Sequence, residues 1–250
     1  MAKRQQGQGG TPTTWFDLKG KEGTLVTWDS GRQAEVAYRD IDGHVEDVRV
    51  KERRYGNGPN AQTGYVINIT LRDREANERY IVSSGAGSRV TCRLLGQLNA
   101  ADLSQPICIY PYLMEAGTEI TDNDTGQVKK LETDMAMTSV KHVIGKDGDR
   151  LVLSEGIKPY YNETYGSALP APETVMVNGK PLVQNGQEIK DRSKLESLTV
   201  ELVRTLQAKI NDMKQGQGQG HGDGEHGVNP EEAAAAAQAA DRGAMRARAA

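Results

Sequence analysis

The sequence predicts a mainly β chain with one helix set among its strands, a second helix near the C-terminus, and polar ends that do not fold. Three features carry that expectation. Apolar residues alternate with polar ones through the first half of the chain. The alternation gives way to helical spacing at only two places. Residues 1–14 and 214–250 are Gly/Gln-rich or Ala-rich stretches of the kind that behave as arms and linkers.

Val36, Tyr38, Val45, Val48 and Val50 mark extended chain on either side of Asp42-Gly43, a dipeptide that commonly turns a hairpin. Residues 56–60 read as a loop. Residues 65–72 then set Tyr65, Ile67, Ile69 and Leu71 against Val66, Asn68, Thr70 and Arg72, the alternation of a half-buried strand. A short polar connection leads to another strand over residues 78–83, and so short a link predicts an antiparallel pair.

Ser88 is placed to cap a helix whose Val90, Leu94, Leu95 and Leu98 share one face. Gly85 and Gly87 read as the turn into it. Residues 106–112 return to extended chain, with Ile107 and Ile109 facing the core, Cys108, Tyr110 and Tyr112 on the other face, and Pro106 and Pro111 pointing to an edge or rim. Residues 135–144 and 150–153 form a hairpin around Asp147-Gly148. Residues 156–187, rich in Pro and Asn-Gly, predict loops with short strands near Val175 and Leu182. The clearest helix spans residues 193–213, with Leu195, Leu198, Leu202, Leu206 and Ile210 as its stripe and Ser193 with Glu196 as a capping box.

Composition excludes several classes. No run approaches the roughly 18 apolar residues of a membrane span, and the first ten residues lack a signal-peptide core, so a cytoplasmic location is expected. Cys92 and Cys108 have neither metal-ligand nor disulfide-framework spacing and read as buried thiols. No nucleophile elbow, HExxH pair or P-loop occurs. Asp122, Asp124 and Gly126 lack the further ligands of a calcium loop, and His221, Asp223 and His226 sit in a stretch with no preformed geometry. The expectation is a non-enzyme with no cofactor and no metal. His44 and His142, each isolated in strand-like chain, read as structural.

The net charge of −3 conceals an uneven distribution. Residues 43–114 hold nine Lys and Arg against seven Asp and Glu, whereas residues 115–154 hold five against eight. Any polyanion is therefore expected on the earlier segment.

Residues 43–48 (GHVEDV), residues 64–69 (GYVINI), Ser88-Arg89, Leu94-Leu95, Leu98-Asn99, residues 103–107 (LSQPI) and Tyr110-Pro111-Tyr112 together resemble small bacteriophage single-stranded DNA-binding proteins. The likeness runs from Trp15 to Tyr161 and is richest over residues 88–112. The order strand, strand, strand, helix, strand is that of the OB fold. Composition and periodicity give a disordered arm over residues 1–14, an amphipathic helix over 191–213 and a flexible tail over 214–250, and the resemblance implies a five-stranded OB-fold β-barrel with an inserted helix over 15–190. It implies sequence-tolerant binding and protection of single-stranded DNA in phage DNA replication or recombination, in the host cytoplasm, alongside phage replication or recombination proteins. The chain departs from the pattern in its long loop between the first two strands and in its C-terminal third. It also lacks the acidic C-terminal tip through which many such proteins recruit partners.

Single-strand binding needs cations for phosphates and planar groups for bases. Arg49, Lys51 and Arg53 alternate with Val48 and Val50 and should line one strand face. That face is expected to continue through Arg72 and Arg79, with Arg54 and Tyr55 in the adjoining loop and Tyr110 and Tyr112 as stacking platforms. Tyr65 and Tyr80 are read as core, as are Trp15 and Trp28, because large rings near a domain edge usually cover the interior. The competing reading is a phage structural or assembly protein whose β-domain and C-terminal helix bind protein partners.

Overall fold

The computed structural model describes residues 11–19, 22–55, 62–121, 128–148, 150–184 and 186–218. Its centre is a long strand, β4 (Ile41–Tyr55), that serves two neighbours. Gly43 and the residues just before it pair antiparallel with β7 (Ile107–Met114), and the rest pairs antiparallel with β5 (Gln62–Asp73), which pairs in turn with β6 (Glu78–Gly85). β7 pairs on its other side with β10 (Met135–Asp147), and β10 with β11 (Arg150–Leu153). At the opposite edge β1 (Thr13–Lys19) runs parallel to β6 and leads through β2 (Thr24–Asp29) to β3 (Ala34–Tyr38). The result is one curled, half-barrel sheet of nine strands in the order β11-β10-β7-β4-β5-β6-β1-β2-β3.

A five-stranded closed barrel is thus not what forms. Closing β6 onto β10 would complete such a barrel, but β1 takes the free edge of β6 and β11 takes that of β10. β1 itself begins at Thr13, inside the stretch expected to be a free arm. Asp42-Gly43 makes no hairpin turn. Gly43, at φ +155°, lies within β4 where a side chain would come 3.0 Å from the carbonyl oxygen of Arg72, so glycine here permits a close strand crossing rather than a reversal. Just beyond it the β4–β5 register shifts between Val45 and Asp47, a bulge that adds Glu46 to the strand and sharpens its bend.

The inner face of the sheet carries Phe16, Leu18, Leu25, Val48, Ile67, Ile69, Leu71, Val82, Ile107 and Ile109, all buried. α1 (Arg89–Ala100) adds Val90, Leu94, Leu95 and Leu98 to the same core, and Ser88 caps it by accepting from the Thr91 amide at 3.0 Å, as its sequence predicts. α2 (Ser193–Gly218) buries Leu195, Leu198, Leu202, Leu206 and Ile210 against α1 and β4. Its start departs from the capping-box expectation: the Asp191 carboxylate accepts from the Ser193 amide at 2.8 Å, so the cap lies before the serine. Pro111 is buried and lies beyond the three β7 residues that pair with β4, where β10 is the one ladder neighbour among the described residues, an edge position as its sequence predicts.

Between sheet and α2, residues 173–191 form a small three-cornered unit. Short antiparallel pairs join Glu173–Thr174 to Lys190–Asp191, Met176–Val177 to Lys180–Pro181, and Val183–Gln184 to Gln187–Glu188. At its centre Val175, Leu182 and Ile189, seven residues apart, donate amide to carbonyl in a closed cycle at 2.8–2.9 Å. β8 (Glu119–Thr121) and β9 (Val128–Lys130) pair across residues that lie outside the described ones, as do residues 56–60 and the 219–250 tail.

The turn between β1 and β2 docks on β7. At Gly23 (φ +60°) a Cβ would stand 2.5 Å from the Tyr112 carbonyl carbon, within backbone that cannot yield. Gly23→Ala is expected to cost about 2 kcal/mol or more, read as a lowered urea midpoint with an unchanged slope.

Candidate nucleic-acid interface

Strand alternation puts β4, β5, β6 and β1 side chains in rows across the outer face of the sheet. One row runs Arg49, Asn68, Ser83, Asp17, and the next toward the β5–β6 turn runs Asp47, Thr70, Ile81, Trp15. Arg72 and Arg79 face each other in the row beyond. Arg49, Lys51, Arg53, Arg72 and Arg79 therefore share one face, as the alternation predicts. Arg54, exposed, alternates away from Arg53. The side chain of Tyr55 lies outside the described residues.

A twisted sheet is a saddle, concave on one face along one diagonal and on the other face along the other. Here the outer face is concave from the far end of β4 to the start of β1. Two contacts prove it. Lys51 Nζ stands 5.9 Å from the centre of the Trp15 ring, and Arg53 Nη1 lies 3.4 Å from Asp17 Oδ1. Three strand spacings (about 14 Å) and an offset of four residues along the strands (about 13 Å) separate the partners, about 19 Å on a flat sheet and beyond the reach of these side chains, so the sheet must curve for them to meet. Beneath them Val66, Asn68 and Ser83 are 6%, 6% and 7% exposed. Ser83 Oγ donates to Asn68 Oδ1 at 2.6 Å. An open cleft of about 240 Å³ lies beside them, lined by Asp17, Leu18, Lys19, Arg53, Val66, Ser83, Ser84 and Gly85.

The structure corrects the reading of both tryptophans. Trp15 is 49% and Trp28 59% exposed, and neither covers the core. Trp15 alternates with buried Phe16 and Leu18 and so points out. Val26 pairs with Asp17, which puts Trp28, two residues on, at the same outer face. The signal was in the sequence: in residues 15–18 the pattern Trp, Phe, Asp, Leu sets Phe16 and Leu18 on one face and leaves Trp15 with Asp17. Tyr80 does join the core, edge-on to Phe16 at 6.0 Å, and burial holds its hydroxyl far above the usual tyrosine range.

Most of the cations are matched by carboxylates. Arg49 Nε is 2.5 Å from Asp47, and Arg79 Nε is 2.7 Å from Glu46, the residue the bulge inserts. Arg72 donates to Thr11 Oγ1 at 2.9 Å and to Asn77. Lys19 pairs with Glu35 at 3.0 Å, and that hydrogen bond raises the lysine above its ordinary value.

Tyr110 and Tyr112 form a second cluster. Their rings stack at 6.1 Å and 26°, and Arg39 lies over Tyr110 at 5.1 Å while its Nε donates to the Tyr110 hydroxyl at 3.3 Å. Both are half-buried on the outer face with Cys108. The β4–β7 register sets Asp42 opposite Cys108, so Tyr110 falls beside Asp40, nine residues before Arg49 and on the other side of the bend in β4. The tyrosines and the β4 cations do not make one compact site.

Cys92 and Cys108 are free and buried, and burial pushes the Cys108 thiol up to about 12, so neither is a thiolate nucleophile at neutral pH. No cluster of three or more potential metal ligands occurs among the described residues, and no helix there is long and apolar enough to cross a membrane.

Beside Cys108, burial first and then the charge of Asp73 hold the Asp42 carboxyl above the usual carboxylate range. Folding thus favours its protonated form, and the stability this provides is present in acid and lost as pH rises through the raised value. Asp42→Asn is expected to raise the melting temperature at neutral pH and to give no gain in acid below the ordinary carboxylate range.

No known protein family, curated protein or solved structure matches this chain.

Proposed function

We propose that the chain binds single-stranded DNA without sequence preference, along the concave diagonal of the outer sheet face, and performs no chemistry on it. The observation that carries this reading is the pair of exposed tryptophans, Trp15 and Trp28, on the face that also bears Arg49, Lys51, Arg53, Arg72 and Arg79. A strand needs rings for its bases and cations for its phosphates, and this face supplies both on rigid strands. Strand order supports the same reading. Within the larger sheet, β4, β5, β6, β7 and β10 follow the OB order with α1 between the third and fourth, and the face of the second and third OB strands, here β5 and β6, is where that fold holds oligonucleotides. The likeness to phage single-stranded DNA-binding proteins extends the reading to protection of DNA during phage replication or recombination. The tyrosine pair on β7 would contact longer strands that run the length of β4.

The competing reading, a structural or assembly protein, draws on the three-cornered unit. It exposes Met176, Val177, Leu182 and Val183, each at least 40% accessible, an apolar patch of the kind proteins bind through.

Fluorescence anisotropy with labelled oligo-dT and a matched duplex, in a magnesium-free salt series, separates the two. Single-stranded DNA should bind far more tightly than duplex, and five cations limit the salt slope to about −3.5. Trp15→Ala/Trp28→Ala should weaken binding by tenfold or more, at about 1–3 kcal/mol per stacked base. Tyr110→Ala/Tyr112→Ala should weaken long oligonucleotides and spare short ones. Absence of binding at low salt would reject the proposal in favour of protein partners, and loss of intact oligonucleotide on adding magnesium would make the chain a nuclease.

A further inference from the structure

The concave diagonal is bridged twice in the free protein, by Lys51 over Trp15 and by Arg53 to Asp17. Both bridges run from β4 to β1 with the same offset, so together they span the groove like a clasp above Val66, Asn68 and Ser83. A base cannot lie on the face of Trp15 that Lys51 occupies, nor a phosphate on Arg53, without displacing the partner already there. We infer that this pair of contacts is an intrinsic competitor for nucleic acid, and that Asp17 is the residue that sets the affinity of the groove by holding Arg53 until a phosphate replaces it. The inference rests on the single-stranded DNA reading and specifies how that site is regulated.

Geometry singles out Asp17 among the carboxylates on this face. Arg49–Asp47 and Arg79–Glu46 are short, at 2.5 and 2.7 Å, and their carboxylates are only 30% and 29% exposed. They brace the bulge. The Arg53–Asp17 contact is longer, at 3.4 Å, with both side chains 50% exposed, and it sits on the wall of the open cleft. An exposed pair at that distance contributes little to stability, so a phosphate with its released counterions can outcompete it. Arg53 and Lys51 stand two residues apart on the same face of β4, so one bound strand can meet both ends of the clasp.

A clasp and a structural ion pair differ in sign. If the pair only held strands together, Asp17→Asn and Arg53→Gln would act alike. If Asp17 competes with phosphate, Asp17→Asn tightens oligo-dT binding by about two- to fivefold, the range an exposed pair allows, whereas Arg53→Gln weakens it. The measurement is oligo-dT titration by anisotropy and by Trp15 fluorescence in a Trp28→Phe background, using the full chain. Asp212→Asn, an equal charge change on the exposed side of α2, controls for bulk electrostatics and should shift affinity less than Asp17→Asn. Thermal melts establish that each variant is folded, and Asp17→Ser repeats the test should the asparagine variant unfold. Tightening in Asp17→Asn together with weakening in Arg53→Gln supports the clasp. Affinity in Asp17→Asn equal to or below that of Asp212→Asn overturns it while leaving the binding site intact. No anisotropy change and no quenching for the parent protein at low salt overturns both the clasp and the binding reading.

Discussion

The bend in β4 is the constraint on which the rest of the molecule depends. One strand must pair with β7 through its first residues and with β5 through the remainder, and an unbroken fifteen-residue strand would hold both neighbours in one flat plane. Gly43 and the extra residue at Glu46 resolve this within four positions. Gly43 admits the Arg72 carbonyl at a distance where a Cβ would be crowded, and the bulge adds local twist. Curled this way, the sheet wraps its inner face around Ile41, Val45, Ile69, Leu71 and Ile109, and the same twist hollows its outer face along the diagonal from Lys51 to Trp15. Core and groove are two sides of one distortion.

The two helices close what the sheet leaves open. Past Gly43, β4 has no strand on its β7 side among the described residues, and α2 packs against it. Gln207 Nε2 donates to the Val48 carbonyl at 2.9 Å, supplying from a side chain what a neighbouring strand would have given. Lys209 Nζ donates to the Asn99 and Ala101 carbonyls at 2.8 and 2.5 Å, where α1 ends and its last carbonyls would lack partners. Burial holds that lysine below its ordinary value, and the charge of Asp102 opposes the shift. The C-terminal helix is therefore built into the fold and is not a free arm for a partner helix, although its sequence alone, an apolar stripe after a Pro-rich stretch, allowed either role.

Legibility in the sequence followed the range of the interaction responsible. Strands β5, β6, β7 and β10 and both helices were readable because alternation and helical spacing are local and each has a buried face. The outward alignment of Arg49, Lys51 and Arg53 followed from the same rule. What escaped was long-range. Nothing local to residues 13–29 announces that β1 will run parallel to β6 and displace the expected barrel closure. Asp42-Gly43 has the composition of a turn, and only the crossing strand at Arg72 makes it a bend. Trp15 and Trp28 were assigned to the core on size, where the alternation with Phe16 and Leu18 should have decided. Tyr110 and Tyr112 were placed on the right face of the right strand, yet their separation from Arg49 depends on a β4–β7 register that no pattern within β7 reveals.

The pairing of charges on the outer face explains why net charge is a poor guide here. A total of −3 and a near-neutral sheet argue against a polyanion ligand if charges act as a sum. On this face they act as pairs held by strand geometry. Glu46 reaches Arg79 only because the bulge turns two successive residues, Glu46 and Asp47, toward cations, and this also relieves the repulsion of Arg72 and Arg79 facing each other in register. On a face so neutralised, a phosphate would meet the guanidinium groups by exchange with the carboxylates that hold them. If the proposed binding holds, it is governed less by long-range steering than by how readily the weakest pair opens, and preference for a flexible strand over a rigid duplex would rest on the groove's shape and its two exposed indoles rather than on charge density.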